Sequence, residues 1–245
     1  MFDEARLLDL EASLRRAQRR FPEALALHDR ALAVAKLEEI GFILINKAKA
    51  QEELQDYSEA LASLGRAESF ITSKNDSRLT FVLRFNQAVN LLHLGRLGEV
   101  EQMLDEAREM AVRQANQLDL IRVDWLAARV AAGKEHKEEA IERLEQVRRE
   151  FRVREMAYDF ALVSLELAAL WLEQRRTAAV KVLARQMLWI FESQGVHREA
   201  LAALRLFREA AEREDLTLAL ARRLVTYFEK ARRDPGLCFE ASEKP

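Results

Sequence analysis

Cysteine is almost missing from this 245-residue sequence, where Cys238 stands alone. One thiol cannot close an internal disulfide, so the chain is no disulfide-stapled scaffold, and it suits a reducing compartment. Its place near the C-terminus points to an inert thiol, not an activated nucleophile. Proline and glycine are scarce as well, at three and seven residues, which leaves little room for the tight turns of hairpin-rich sheets. Neither sign of charge dominates. Against 39 Lys and Arg stand 41 Asp and Glu, a formal net charge of −2, which removes the electrostatic basis for general nucleic-acid binding. Long uncharged runs are absent: none approaches the roughly 18 residues of a membrane span. The N-terminus is charged from Asp3 onward where a secretory signal would be apolar. A cytoplasmic protein without membrane insertion is the expectation. What the chain does have is 49% hydrophobic and 33% charged residues with few breakers, the composition of an all-α protein.

A fixed internal period organises these residues. Ala12, Ala48, Ala88, Ala128 and Ala168 form one column, with steps of 36, 40, 40 and 40 residues. A second column, Ala24, Ala60, Val100, Ala140 and Val180, follows twelve residues after each member of the first. A third, Ala31, Ala67, Ala107, Val147 and Met187, lies seven residues further on, with His28, Leu64, Leu104, Leu144 and Ala184 between the two. Spacings of four and three put these residues on one stripe of a helix.

Stop and start signals separate paired helices, predicted at 3–19 with 22–38, 40–55 with 58–72, 77–94 with 97–115, 118–132 with 136–151, 155–174 with 177–194, and 197–213 with 216–233. Pro22 sits in a first turn, Ser58 and Thr177 are expected N-caps, and Gly95 and Gly133 are expected left-handed C-caps. Links such as 72–76 and 193–195 are short and polar, so the whole chain reads as a single array with repeats near 3–38, 40–72, 77–115, 118–151, 155–194 and a capping pair at 197–233. Pro235 and Gly236 end the last helix, and 234–245 form a tail. In the last pair Arg208 takes the place of the column alanine, as an atypical terminal repeat would.

With both alanine columns in place, the chain resembles the tetratricopeptide repeat family. The segment from Ala48 through Tyr57, Ala60, Leu61 and Leu64 to Ala67 carries the resemblance best, together with Ala88, Leu94-Gly95-Arg96-Leu97 and Ala107. Repeats of about 40 residues look like those in the effector-sensing regions of large bacterial regulators. The resemblance implies a right-handed α-solenoid of about six helix-turn-helix repeats. It also implies that each first helix lines a concave groove, which would hold Arg6, Asp9, Ser13 and Arg16; Phe42, Asn46 and Lys49; Phe85, Asn86, Val89 and Leu92; Arg122, Trp125 and Arg129; and Leu162, Leu165 and Glu166.

Within that set, Asn46 and Asn86 each lie two residues before a column alanine, where the family's asparagines hydrogen-bond the backbone of an extended peptide; a side-chain amide both donates and accepts. The competing reading is a solvated polar face. Lys49 and Arg84 do not match the family's carboxylate clamp, so chaperone-tail binding is not expected. Phe42, Phe85 and Trp125, with Arg122 and Arg129 beside them, have the composition of an interface hot spot, against core packing as the ordinary alternative. Trp171 and Trp189 are assigned to core or inter-repeat contacts, and Phe207, Tyr227 and Phe228 to terminal packing. The histidines, His28, His93, His136 and His197, lie in different repeats without metal spacing, and there is no His-Glu-x-x-His or glycine-rich phosphate loop. No cofactor, metal or catalytic residue is therefore assigned. The expected function is a non-enzymatic scaffold binding a partner peptide or helix through Asn46, Lys49, Phe85, Asn86, Val89, Arg122, Trp125 and Arg129. A regulator's sensing region that binds a small effector or peptide, and a structural subunit of a larger complex, are the alternatives; homo-oligomers are compatible with each.

Overall fold

Helical periodicity without strand-forming alternation produces helices throughout. The computed structural model describes residues 3–71, 77–193, 198–213, 215–232, 234 and 236–239, with no strand among them. The polar links at 72–76 and 194–195, His197, Pro235 and the end of the tail from 240 lie outside the described residues.

The chain divides into two compact units, Met1–Lys134 and Glu135–Pro245. The first holds α1 (Glu4–Ala17), α2 (Phe21–Val34), α3 (Leu37–Glu53), α4 (Tyr57–Glu68), α5 (Ser77–His93), α6 (Leu97–Arg113) and α7 (Gln117–Gly133). The second holds α8 (Lys137–Val153), α9 (Ala157–Glu173), α10 (Thr177–Ser193), α11 (Arg198–Glu212) and α12 (Leu218–Ala231). Asp3, Asp56, Asn116 and Thr217 cap α1, α4, α7 and α12 by accepting the N–H of the residue three positions on. Asp56, which precedes Tyr57, thus takes the capping role expected of Ser58, and Thr177 is the first residue of α10 and not its cap.

In the first unit the packing is a solenoid-like repeat. α1 packs on α2, α3 on α4 and α5 on α6, and each second helix packs on the next first helix: α2 on α3, α4 on α5, α6 on α7. Every member of the three alanine-rich columns is buried. Small side chains there let the helix backbones approach closely, and the larger apolar residues around them fill the space between layers.

The turns inside the pairs repeat as faithfully as the helices. Arg19, Gln55, Gly95, Glu135 and Arg175, each seven residues after a column alanine, all have positive φ, between 56° and 72°. Ala115 and Glu155 do the same between pairs, at 50° and 55°. In the turn at Gln55, Asp56 N donates to Gln51 O and Gln55 N to Glu52 O. This double bond pattern satisfies the orphan carbonyls of a helix end, and it recurs at Gly95, Ala115, Glu155 and Arg175. Only Gly95 adopts this backbone without a Cβ penalty. Gly95→Ala is expected to lower stability by about 1 kcal/mol and Gln55→Gly to raise it by a comparable or smaller amount, both read by urea denaturation. Gly133 is not such a cap: the left-handed residue of its turn is Glu135. It serves instead a close approach, since a Cβ there would lie 2.7 Å from Leu97 Cδ1.

The second unit departs from the repeat at its end. α11 packs on α10, but α12 packs chiefly on α9 and only lightly on α11, so the last two helices do not form the expected hairpin. The cause is legible in α9. Its sequence, AYDFALVSLELAALWLE, is apolar on nearly every side, and Phe160 through Leu165 are all buried. A helix hydrophobic all round needs cover all round. α12 supplies it with Phe228, whose ring meets Phe191 edge-on at 5.6 Å and Tyr158 at 6.3 Å. Ion pairs fasten the rim, Arg232 to Asp159 at 2.8 Å and Arg222 to Glu173 at 3.2 Å. Burial pushes the Tyr158 phenol up to about 12. Phe207, Tyr227 and Phe228 are buried as terminal packing, and Trp171 is core. Trp189 is not: it lies on the outer face of α10, 62% exposed, because Met187, Leu188, Ile190 and Phe191 occupy the positions that turn inward.

Candidate functional site

The first helices of the leading unit bring most of the expected groove residues to one surface. Asn46 and Lys49 of α3, Phe85, Asn86 and Val89 of α5, and Arg122, Trp125 and Arg129 of α7 are each half-buried, and Phe42 is exposed. The reason is geometric. The column alanine faces the partner helix, so the residue immediately after it (Ser13, Lys49, Val89, Arg129) falls at the edge of that contact, whereas the position three before it is half-buried at Phe85 and Trp125 but buried at Asp9 and Ile45. Consecutive first helices touch only lightly, and the second helices between them set these edges in a row.

Chemistry along the row changes from repeat to repeat. At α7 the Arg129 guanidinium lies 4.6 Å from the centre of the Trp125 ring, and Arg122 approaches the buried Asp119 at 3.7 Å. Asp119 also receives Arg78, which extends over the Phe81 ring. At α5, Phe85 stacks on Phe81 with ring centres 5.8 Å apart, and Phe85 and Val89 pack against a core cluster that includes Leu91, Val100, Leu126 and Val130. At α3 the surface is polar: Lys49 pairs with Glu52 at 2.9 Å, and Arg16 of α1 with Glu53 at 2.9 Å. Glu52 also accepts from Asn90 of α5 at 3.4 Å.

The two asparagines do not form a matched pair. The Asn46 side-chain amide donates to Asp9 Oδ2 at 2.8 Å, whereas at Asn86 it is the backbone carbonyl oxygen that accepts, from the Asn90 side chain at 2.8 Å. Their position, two before the column alanine, is a junction with the preceding first helix: Asn46 reaches back to Asp9 of α1, and Leu126, its counterpart in α7, packs in one cluster with Phe85 of α5.

Three expected groove residues lie elsewhere. Asp9 is buried, with its Oδ1 3.0 Å from Nδ1 of the fully buried His28, at ion-pair distance but outside hydrogen-bond geometry. Leu162 and Leu165 are core residues of α9, because α12 covers the face that α3, α5 and α7 leave open. The apolar run of α9 carried that signal. Sequence periodicity alone also missed the Asp9, His28 and Asn46 cluster, whose members come from three helices; a carboxylate and an imidazole at otherwise apolar column positions were its only trace.

Among the described residues no group of three His, Cys, Asp or Glu is placed to hold a metal ion, and no helix is long and apolar enough to cross a membrane. No protein-family model matches the chain, and no curated protein matches it.

Proposed function

We propose that this protein is a tetratricopeptide-type, non-enzymatic interaction scaffold, and that it holds a segment of a partner protein across the first-helix face of α3, α5 and α7. The observation that carries the reading is the half-buried row itself. Phe85, Val89 and Trp125, with Arg129 laid on the tryptophan, stand on packed helices with their rotamers constrained by neighbours. Aromatic and arginine side chains held rigidly at a partly desolvated surface are the composition of binding hot spots, since little side-chain entropy is lost when a partner arrives. The polar end near Lys49, Glu52 and Arg16 would orient the bound segment, and the cytoplasm is the compartment that the lone, exposed Cys238 suits.

Co-purification from the native host with mass spectrometry identifies the partner, and binding is then measured for two variants. Trp125→Ala is expected to weaken binding by about 2 kcal/mol and Asn86→Ala by about 0.5–1.5 kcal/mol, with smaller changes in urea stability. Unchanged affinity in both variants would remove the first-helix face as the binding site.

A further inference from the structure

One position of the repeat sets what each second helix offers to the next first helix. It is the residue eight after the second column, and its counterpart lies four before the next column alanine. At α2 and α3 the two are Leu32 and Leu44, packed in one apolar cluster. At α4 and α5 they are Glu68 and Arg84, an ion pair at 2.7 Å. At α6 and α7 the charges are reversed, and Arg108 pairs with Asp124. At α10 and α11 both are leucines again, Leu188 and Leu204, and both are buried. Leucine is matched with leucine, and charge with opposite charge. The pair at α8 and α9 breaks the rule. The counterpart of Arg148 is Ser164, which is fully buried and donates its hydroxyl to Phe160 O at 2.6 Å.

Arg148 is therefore a cation at a half-buried junction where the repeat otherwise supplies a counter-ion. Its guanidinium lies 5.8 Å from the centre of the Phe160 ring and donates one N–H to the side-chain oxygen of Gln186 on α10 at 3.0 Å. Both partners are uncharged. Nε is buried without an acceptor, and among the described residues no carboxylate pairs with the group. Burial holds its pKa below the ordinary arginine value; Glu145 opposes that shift, and Arg152 and Arg149 add to it. A half-buried charge without a counter-ion is costly to keep, and leucine, as at Leu188, would avoid the cost. Arg152 stands one turn on from Arg148, on the same side of α8, and both it and Arg149 are exposed. Three arginines against one glutamate leave a local formal charge of +2.

We infer that Arg148 and Arg152, with the Gln186 amide beside them, form a binding site for a dianionic phosphate monoester. Charge selects the class. A phosphate monoester carries about −1.5 to −2 at neutral pH, close to the local excess, and its three terminal oxygens accept from several donors at once. The Arg148 guanidinium is already oriented by Gln186 and Phe160, so little ordering is needed when the anion arrives. The site lies in the second unit, outside the first-helix row, and neither reading depends on the other.

Isothermal titration calorimetry of the full chain with methyl phosphate, at about pH 7.5 where the monoester is dianionic and in chloride of matched ionic strength, is expected to show saturable binding. Acetate is expected to show none. Gln186→Glu is the decisive variant. It keeps the size of the side chain and gives Arg148 an internal carboxylate, so it should weaken methyl phosphate at least about tenfold while the urea midpoint holds or rises. Arg148→Leu, which copies Leu188, should abolish binding without loss of stability. Arg30→Gln, at an exposed position of α2, should leave binding unchanged. A short alanine peptide with one phosphoserine that binds at least about tenfold more tightly than methyl phosphate places the phosphate on a partner protein, and equal affinities place it on a small molecule. No saturable binding, acetate binding as tightly as methyl phosphate, or unchanged affinity in Gln186→Glu would overturn the inference.

Discussion

Phe228→Ala is expected to lower the stability of the second unit by about 3–5 kcal/mol, the range for truncating a fully buried aromatic side chain. The expectation rests on position more than on size. Phe228 is completely buried, and its ring lies between Phe191 of α10 and Tyr158 of α9, with Tyr227 edge-on at 5.1 Å. Its removal opens a cavity where α12 closes the apolar surface of α9. Collapse into that cavity is resisted by the ion pairs Arg232 to Asp159 and Arg222 to Glu173, which hold the rim in place. Urea denaturation followed by far-UV circular dichroism reads the cost. A loss below about 1 kcal/mol, typical of a surface substitution, would mean that α12 is not what covers α9.

The second large effect is at Asp9. Asp9→Ala is expected to cost about 3 kcal/mol, because the Asn46 amide and the buried His28 ring lose the one carboxylate between them while remaining enclosed. Restoring stability should not require a charge. In the next repeat the equivalents of Asp9 and His28 are Ile45 and Leu64, which pack in a single apolar cluster. The double variant Asp9→Ile with His28→Leu copies that pair and is expected to recover the part of the loss due to His28, since the buried carboxylate and imidazole are both replaced by apolar groups and only the half-buried Asn46 amide is left without its acceptor. Additive losses in the double variant, measured by urea denaturation against both single variants, would show that the first repeat cannot accept the packing of the second.

Both expectations come from places where a repeated sequence position carries different chemistry. Helix number and limits were legible without tertiary information, with the largest misplacements at the ends of α2, predicted to reach 38 and ending at Val34, and of α4, predicted to reach 72 and ending at Glu68. The alanine columns were legible for the same reason. A period of 3.6 residues per turn and a near-constant step of 40 are local properties, and every column residue is buried as they require. The candidate row was legible in part: Val89 and Arg129 follow from their offset to the column alanine, whereas the offset of Phe85 and Trp125 is buried at Asp9 and Ile45.

What the sequence determined by itself, then, is the run of helices, their pairing in the first unit and the side of each helix that faces its partner, because these depend on spacing along one chain. Tertiary structure alone decided which of the remaining faces stay open. Leu162 and Leu165 occupy offsets like those of Arg122 and Trp125, yet they are core, since α12 returns to α9. Leu7, Leu10 and Leu14 occupy offsets buried in α7, yet they are exposed. Burial belongs to the set of neighbours a residue acquires on folding, and two residues at the same offset part company wherever the next helix differs.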